Sequence, residues 1–383
     1  MTLLQEFPDS QLPLKIFIGV ERLQLTQPLV HFSADEDFLE MVVFKVELSN
    51  GIKGWSEVRG NGQYATNVCT EDIFKDLEVL REFTRGAWKT PSSVISDLRE
   101  INLLLAMGLD IALLDAQSKC LGVPLWRYIR SIKGVESAVI PPPPATHLQC
   151  NFGSTEDAIK DTERAISEGF QRIKVRVGGN LDHDLNRINA IRNAADKAGI
   201  YDFKIVADAN GGWTPRVAIE ASVWLQKLKV SWLEQPITAG SISDMSMVRA
   251  NSSIPIWADE SVQCLQDLKE LASANAIDGV HLKLEKAGSV DELYTMIEFA
   301  KSSKLNFALG QMDCGRLGCA VTTNLALGLN IEIAELWGCA NVDEDTSDGL
   351  EVMDGKVHLS GLSGLGMHIN SEVEHRMSAM TLV

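Results

Sequence analysis

The sequence predicts an α/β protein whose larger part is a parallel TIM-type barrel, preceded by a smaller α+β domain. Three observations lead to this fold class. Beyond residue 145, short apolar runs alternate with amphipathic helical segments; eight such runs can be counted; and several of them stop abruptly at a charged residue. Alternating strands and helices predict a parallel sheet. Eight strands favour a closed barrel over an open sheet.

The first 135 residues show a different pattern. Residues 14–25 alternate apolar and polar side chains as a strand does, and residues 26–37, which contain Pro, Ser and Asp, are predicted to form a loop. Residues 38–58 predict a β-hairpin. From about residue 71 to 130 the spacing of apolar residues becomes helical. Strands followed by helices, without βαβ alternation, describe an α+β domain.

The domain boundaries follow from the same patterns. The proline run at 141–144 marks the passage into the barrel, because it favours extended geometry and cannot continue a helix. We predict an α+β domain over residues 1–135, a barrel over 136–340 and a C-terminal segment over 341–383 that returns to the first domain. The predicted barrel strands are residues 145–149, 171–177, 203–208, 230–234, 255–259, 279–284, 306–311 and 331–336.

Composition argues against several classes of protein. The formal net charge of −17 is unfavourable for binding nucleic acid or an anionic membrane. No apolar run approaches the length of a membrane span. The seven cysteines are odd in number and form no CxxC pair, so a disulfide framework is not indicated. We expect a cytoplasmic homo-oligomer that acts on a small molecule.

Three of the strand-like runs end in a carboxylate, at Asp208, Glu234 and Asp259. A buried carboxylate is costly unless it is paired or bound to a cation. In a parallel barrel the carboxyl ends of the strands converge at one mouth. Three oxygen ligands there suit a hard divalent cation, above all Mg²⁺. The residues alone predict a metal-assisted enzyme; a set of structural ion pairs at the barrel rim is the alternative.

Strand parity places further charged side chains near these acids, because residues i and i+2 share a face. Lys174 and Arg176 share one face of the second strand, and Lys283 stands at the end of the sixth. Asp313 follows the seventh strand and Glu335 lies at the eighth. If these faces point inward, the mouth carries the acids opposite two or three cations.

The order KVR, VADANGGW, WLEQP, ADES and HLKLEKAGSV resembles the enolase superfamily, in particular its mandelate racemase and muconate lactonizing enzyme branch, over nearly the whole chain. The resemblance implies an α+β capping domain, a (β/α)7β barrel and a tail that returns to the cap. It also implies that Asp208, Glu234 and Asp259 bind one Mg²⁺. The metal would hold the substrate carboxylate and stabilise an enediolate after removal of the α-proton.

The resemblance assigns roles to the lysines. Lys283 matches the general acid/base at the end of the sixth strand, and Lys174 and Arg176 match the paired KxK of the second strand. Arg176 departs from that pattern, because arginine stays protonated and is a poor base. It is expected to act as a fixed electrophile for the developing enolate or a substrate carboxylate. Lys174 is the alternative second base.

Further residues are expected around the metal. Asp313 and Glu335 are candidates for binding an ammonium or hydroxyl group of the substrate, with a supporting role as the alternative. Asn210 and Glu260 stand beside metal ligands and are expected to orient them. Lys286 is expected to point outward or to begin a helix.

Two predictions concern the surroundings of the site. His281, two residues before Lys283, is expected to be a hydrogen-bonded core residue. By resemblance, the loops around residues 30–32 and 57–67 would close over the barrel mouth and supply specificity.

The predicted function is that of a Mg²⁺-dependent isomerase (a racemase, epimerase or cycloisomerase) of a small carboxylic acid. The alternative is a lyase, a hydroxy-acid dehydratase that eliminates from the same intermediate. A non-catalytic metal-binding barrel is a third reading, against which the intact Lys283 and the three acids argue. Because Lys283 is the only lysine at a standard base position, one-base reactions such as syn elimination or cycloisomerisation become more plausible.

Overall fold

The computed structural model describes residues 3, 15–31, 34–80, 91–134, 139–336 and 338–378. The N-terminal part is an antiparallel sheet of three strands in the order β1-β2-β3, followed by helices. Its elements are β1 (Lys15–His31), β2 (Ala34–Glu47), β3 (Lys53–Arg59), α1 (Gln63–Thr66), α2 (Thr70–Lys75), α3 (Pro91–Arg99), α4 (Leu103–Cys120) and α5 (Leu125–Ile132).

The loop predicted for residues 26–37 is wrong for the residues that the structure describes. β1 continues to His31 and pairs with β2 both before and after residues 25–28, where the register shifts between Gln24 and Leu29. A bulge of this kind accommodates Pro28, which lacks the amide hydrogen that a regular ladder needs. The turn-forming residues therefore mark an irregularity in a continuing strand.

The barrel alternates strands with helices from residue 148 onwards. Its strands are predicted close to their observed bounds, because each is a short apolar run flanked by helix-capping or turn residues. The elements are β4 (Leu148–Cys150), α6 (Thr155–Ser167), β5 (Arg172–Arg176), α7 (Leu181–Lys197), β6 (Lys204–Asp208), α8 (Pro215–Lys227), β7 (Val230–Glu234), α9 (Ile242–Asn251), β8 (Ile256–Ala258), α10 (Leu265–Ser273), β9 (Gly279–Lys283), α11 (Leu284–Ala287), α12 (Val290–Ser302), β10 (Asn306–Gly310) and α13 (Arg316–Leu329).

The ring closes at the segment predicted as the eighth strand. β4 to β10 form one parallel sheet in sequential order. Residues 331–336 are not a regular strand, but they bridge both edges of that sheet, through Leu309↔Ala334 on one side and Ala145↔Ile333 on the other. The architecture is the predicted (β/α)7β barrel.

The parallel register confirms the predicted strand parity. Arg176 lies beside Asp208, which in turn lies beside Glu234. Two residues lower on β7, Trp232 shares the face of Glu234 and stacks on Trp257 with a centroid distance of 4.3 Å. Large inward side chains of this kind fill the barrel below the charged layer, as in other closed eight-stranded barrels.

The C-terminal part returns to the first domain, as predicted. It contains a 3₁₀ turn and short strands before the last helix: Gly338–Asn341, β11 (Ser347–Asp348), β12 (Leu350–Met353), β13 (Lys356–Leu359), β14 (His368–Ile369) and α14 (Ser371–Ser378). The Leu365 amide donates to Asp115 of α4 at 2.7 Å, and Arg376 pairs with Glu21 of β1 at 2.7 Å. Among the described residues, no helix combines the length and hydrophobicity needed to cross a membrane.

Candidate active site

The three predicted acids come together at the ends of adjacent strands. Asp208 and Glu234 are the last residues of β6 and β7, and Asp259 directly follows β8. All three are buried, and one oxygen of each lies within 4.8 Å of the others. Three buried carboxylates with converging oxygens are a donor set that fits a hard divalent cation.

The residue after Glu234 holds the third acid in position. Gln235 accepts hydrogen bonds from the backbone amides of Asp259 and Ser261, both at 3.0 Å, and its amide group donates to the Ser261 hydroxyl at 2.7 Å. Gln235 has a φ of 35°, which is uncommon for a residue of this type. The sequence analysis did not single out Gln235; its place in the run WLEQP is the only local signal.

Lys174 lies within the acidic cluster. Its ammonium group is 2.7 Å from Glu234 and 3.0 Å from both Asp208 and Glu335. Burial opposes the charge, but these three carboxylates outweigh it and raise the pKa of Lys174 above its ordinary value. A lysine held by three acceptors is poorly placed to receive a proton.

Arg176 stands one layer higher on the same face of β5. Its Nη1 makes a short contact with Asp208 and donates to the Asn210 side-chain oxygen at 3.1 Å. Burial opposes its charge, yet Asp208 and the other acids nearby raise the pKa of Arg176 further. The mouth therefore contains a permanent cation here.

Lys283 faces Arg176 across the ring, because β5 is the second and β9 the sixth of eight segments. Its ammonium group is 2.8 Å from Asp259. Burial opposes protonation, but Asp259 and Glu335 raise the pKa of Lys283 well above its ordinary value. Unlike Lys174, this lysine has one carboxylate in direct contact and lines the cavity at the mouth.

Of the two alternatives predicted for Lys286, the outward orientation is wrong, whereas a place at the start of a helix agrees with the structure. Lys286 lies in the short helix α11, yet its side chain is buried. Its ammonium group donates to both the carboxylate and the backbone carbonyl of Asp259, at 2.7 and 2.5 Å. The chain changes from strand to helix after Lys283, so residues three apart lie on the same side. The carboxylate of Asp259 thus accepts hydrogen bonds from two lysines, Lys283 and Lys286.

Glu335 lies where the ring closes. Its backbone amide donates to the Leu309 carbonyl at 2.9 Å, and its carboxylate is 3.1 Å from Nε2 of His281. Burial opposes ionisation, but Lys174 and His281 hold the pKa of Glu335 well below its ordinary value. The other ring nitrogen of His281 is 2.9 Å from Glu234, which confirms the prediction of a hydrogen-bonded core histidine.

Asn210 and Glu260 lie beside the acids as predicted from their position. The backbone amide of Asn210 donates to Asp208 at 3.0 Å, and its side-chain amide donates to Glu260 at 3.0 Å. Burial, with the charges of Asp259 and Asp208, raises the pKa of Glu260 to about 7. These contacts support the expectation that Asn210 orients Asp208.

Asp313 lines the mouth but is surrounded by cations. Burial raises its pKa, while Arg59 and Arg176 act in the opposite direction. Glu335 is likewise engaged by Lys174. That Asp313 and Glu335 bind a substrate ammonium stays a prediction, and the cations already beside both carboxylates argue against it.

The cap covers the mouth with the segment after β3. Tyr64 and Ala65 of α1 line a small cavity of about 20 Å³, together with Arg176, Lys283 and Asp313. This agrees with the expectation that residues 57–67 close over the barrel. In the other expected loop Val30 belongs to β1, whereas Phe32 lies outside the described residues.

A larger groove, of about 800 Å³, runs between α6 and α7 on the outside of the barrel. It is lined mainly by apolar and amide side chains and lies apart from the charged cluster. Volume alone does not make a catalytic site, since chemistry at a carbon acid needs convergent charged groups. The mouth of the barrel is therefore the candidate active site.

The family follows from the fold and this constellation of residues. Residues 157–373 match the family described as "Enolase C-terminal domain-like". The chain belongs to the enolase superfamily, in its mandelate racemase and muconate lactonizing enzyme branch. It is an enzyme of the isomerase group within that branch.

Particular relatives share most of the chain. The L-Ala-D/L-Glu epimerase of Thermotoga maritima is 28% identical over 331 residues, which cover 82% of this chain and 88% of the relative. The N-succinyl-L-Arg/Lys racemase of Bacillus cereus is 24% identical over 358 residues, covering 92% and 94%. The dipeptide epimerase of Enterococcus faecalis, solved with Mg and L-Leu-L-Tyr, superposes with a TM-score of 0.82 at 20% identity, covering 92% and 98%.

Proposed function

We propose that this enzyme is a Mg²⁺-dependent isomerase that removes the proton next to the carboxylate of a small substrate. The single observation that carries the proposal is the arrangement of the mouth: three convergent buried carboxylates, with Lys283 beside them at the edge of the cavity. Relatives named as epimerases and racemases act on dipeptides and N-succinyl amino acids, which supports a small carboxylate as the substrate class.

Asp208, Glu234 and Asp259 are the residues that would hold the metal. When bound there, Mg²⁺ supplies positive charge to the substrate carboxylate and offsets the charge of Asp259 that now raises the pKa of Lys283. A lysine acts best as a base when its pKa lies near the working pH, so weaker attraction from Asp259 favours proton transfer to Lys283.

The remaining cations have fixed tasks in this proposal. Lys174 forms ion pairs with Asp208, Glu234 and Glu335 and stays protonated. Arg176 presents a guanidinium group to the same cavity from the facing strand, where it holds the negative charge that develops on the substrate oxygens. The substrate carbon thus lies between a base and a cation that cannot release a proton.

A lyase reaction is the second candidate, and the identity of Arg176 favours it. Epimerisation by two bases needs a proton donor on the second face of the carbon, and arginine does not exchange protons near neutral pH. Removing a proton and a leaving group on the side of Lys283 needs no such donor. Cycloisomerisation meets the same condition and stays within the isomerase class.

Solvent-exchange experiments test the proposal. Purified enzyme with Mg²⁺ in D₂O is incubated with dipeptides, N-acyl amino acids and hydroxy acids, and α-deuterium is followed by NMR, with a chelator-treated sample as the control. We expect exchange that depends on Mg²⁺ for at least one of these classes. Exchange with a change of configuration or ring closure identifies an isomerase, loss of water identifies the lyase, and no exchange in any class contradicts both.

We further propose that the enzyme is a homo-oligomer located in the cytoplasm.

A further inference from the structure

Arg59 is a buried cation that forms no direct ion pair with any carboxylate of the described residues. It is the last residue of β3 and is only 1% exposed. Its Nε donates to the side-chain oxygen of Asn61 at 3.2 Å and its Nη1 to the Tyr64 hydroxyl at 3.3 Å, so both partners are neutral. Its Nη2 is buried without a hydrogen-bond partner among the described residues. A buried, unpaired guanidinium is costly, which implies that an anion joins it when the protein works.

Arg59 stands directly behind the wall of the mouth cavity. Tyr64, which it contacts, lines that cavity. Gly62 lies between Arg59 and Met312: a Cβ at Gly62 would be 3.5 Å from Cδ of Arg59 and 2.4 Å from Cε of Met312. Met312 also lines the cavity. The cap therefore brings a cation to the side of the mouth that faces away from the barrel floor.

The charges on the barrel side are consistent with a place for an anion. Arg176 and Lys283 line the same cavity, and so does the carboxylate of Asp313. Arg59 and Arg176 are the two charges that most strongly stabilise the ionised form of Asp313. The protein thus already keeps one carboxylate near these cations, at the mouth of the barrel.

We propose that Arg59 is the specificity-determining residue of a second anion subsite, so that the substrate carries a second negative group remote from the carboxylate that the metal holds. The subsite is the part of the mouth beside Arg59, lined by Tyr64 and Met312, and Asp313 competes with the ligand for the positive charge of Arg59. The inference rests on the proposed function for the identity of the first carboxylate. It reverses the expectation that Asp313 receives a substrate cation.

Binding of dicarboxylates to the Mg²⁺-loaded enzyme tests the subsite without any need for turnover. Calorimetry compares succinate, glutarate, adipate and pimelate with the corresponding monoamides, which have the same shape but one charge fewer. For the chain length that fits, we expect the dicarboxylate to bind at least about 10-fold more tightly, the size of a charge-assisted hydrogen bond. Equal affinity for every pair overturns the proposal.

Two variants of opposite expected effect identify the residues. Arg59→Met should abolish the preference for the dicarboxylate and leave the affinity for the monoamide unchanged, whereas Asp313→Asn should strengthen dicarboxylate binding by removing a competing anion. Arg59→Lys, which keeps the charge, should retain part of the preference and serves if the methionine variant does not fold. The proposal is contradicted if the Arg59 variants lose the same affinity for the dicarboxylate as for the monoamide. It is also contradicted if Asp313→Asn binds the dicarboxylate more weakly than the wild type does.

The outcome separates this inference from the proposed function. If the preference for dicarboxylates is present but no acid exchanges its α-proton, the subsite stands and the proposed reaction falls. If exchange occurs on acids with a single negative charge and no preference is found, the reaction stands and the subsite falls.

Discussion

The two sides of the barrel mouth both carry a pair of cations, yet they differ in what those cations can do. On the arginine side, which comprises Lys174, Arg176 and Asp208, the lysine is held by three carboxylates and the outer position is an arginine. On the lysine side, which comprises Lys283, Lys286 and Asp259, two lysines share one carboxylate.

The difference between the sides lies in the number of acceptors around each cation. A lysine with three acidic partners is locked in its charged form, whereas a lysine that shares a single acid becomes easier to deprotonate as soon as that acid is engaged elsewhere. Lys174 and Lys283, on the two sides of the mouth, thus differ in how readily they can release a proton. Four substitutions, taken from the largest expected effect to the smallest, test this division.

Substitution of Lys283 should have the largest effect. In Lys283→Ala we expect α-proton exchange in D₂O to fall by about 10³-fold or more, because the base is lost. Lys283→Arg keeps a cation beside Asp259 but cannot accept a proton, so it should be equally inactive. Deuterium uptake measured by NMR at near wild-type rate in either variant would place the base on the arginine side instead.

Weakening the metal site should disable both sides together. Glu234→Gln removes one of three converging charges, and we expect Mg²⁺ affinity measured by calorimetry to fall by about 10²-fold, with activity lost in parallel. The exposed Glu298, which pairs with Lys301 at the surface, supplies the matched control Glu298→Gln. Unchanged Mg²⁺ affinity in Glu234→Gln would mean that the carboxylate cluster is a structural ion-pair network.

Substitution of Lys286 should cost less, because this lysine acts through Asp259. In Lys286→Met we expect an activity loss of about 10-fold to 100-fold, the range seen for residues that orient metal ligands. Lys286→Arg should recover part of the activity, since it restores the charge. A pH–rate profile distinguishes the roles: the methionine variant should show a shifted pKa for the base, whereas a purely structural residue would lower the rate equally at every pH.

Substitution of Arg176 by lysine should change the rate least and the product most. Arg176→Lys keeps the positive charge beside Asp208 and adds a group that can exchange protons on the arginine side. We expect the exchange rate to stay within about 10-fold of wild type while a stereoisomer of opposite configuration appears or increases, measured by chiral chromatography. An unchanged stereochemical course would show that Arg176 does not face the substrate carbon.

The sequence predicted which residues at the ends of strands come together at the mouth of the barrel. Asp208, Glu234 and Lys283 end apolar runs, and the period of two along a strand fixes which residues share a face. The buried position of Lys286 was not predicted, because the strand ends at Lys283 and α11 begins at Leu284. In a helix, residues three apart lie on the same side, so Lys286 points to the same side as Lys283.

Contacts between domains were not predictable from local patterns. Tyr64 lines the mouth, with Arg59 behind it, because the segment after β3 meets the barrel, and no periodicity in either segment predicts that contact. Pro28 was misleading for a related reason, since a proline marks a loop or a bulge equally well until the partner strand is known. The final barrel segment was placed correctly but is joined by single bridges rather than a full ladder.

That last segment links assembly of the fold to the charge state of the site. Glu335 is the residue beside the closing bridges, and its carboxylate is one of the three that hold Lys174. Until the two edges of the sheet meet, Lys174 lacks this acceptor. Loss of the bridges that close the barrel would therefore remove one of the three carboxylates that raise the pKa of Lys174. The difference between the two sides of the mouth would decrease as a result.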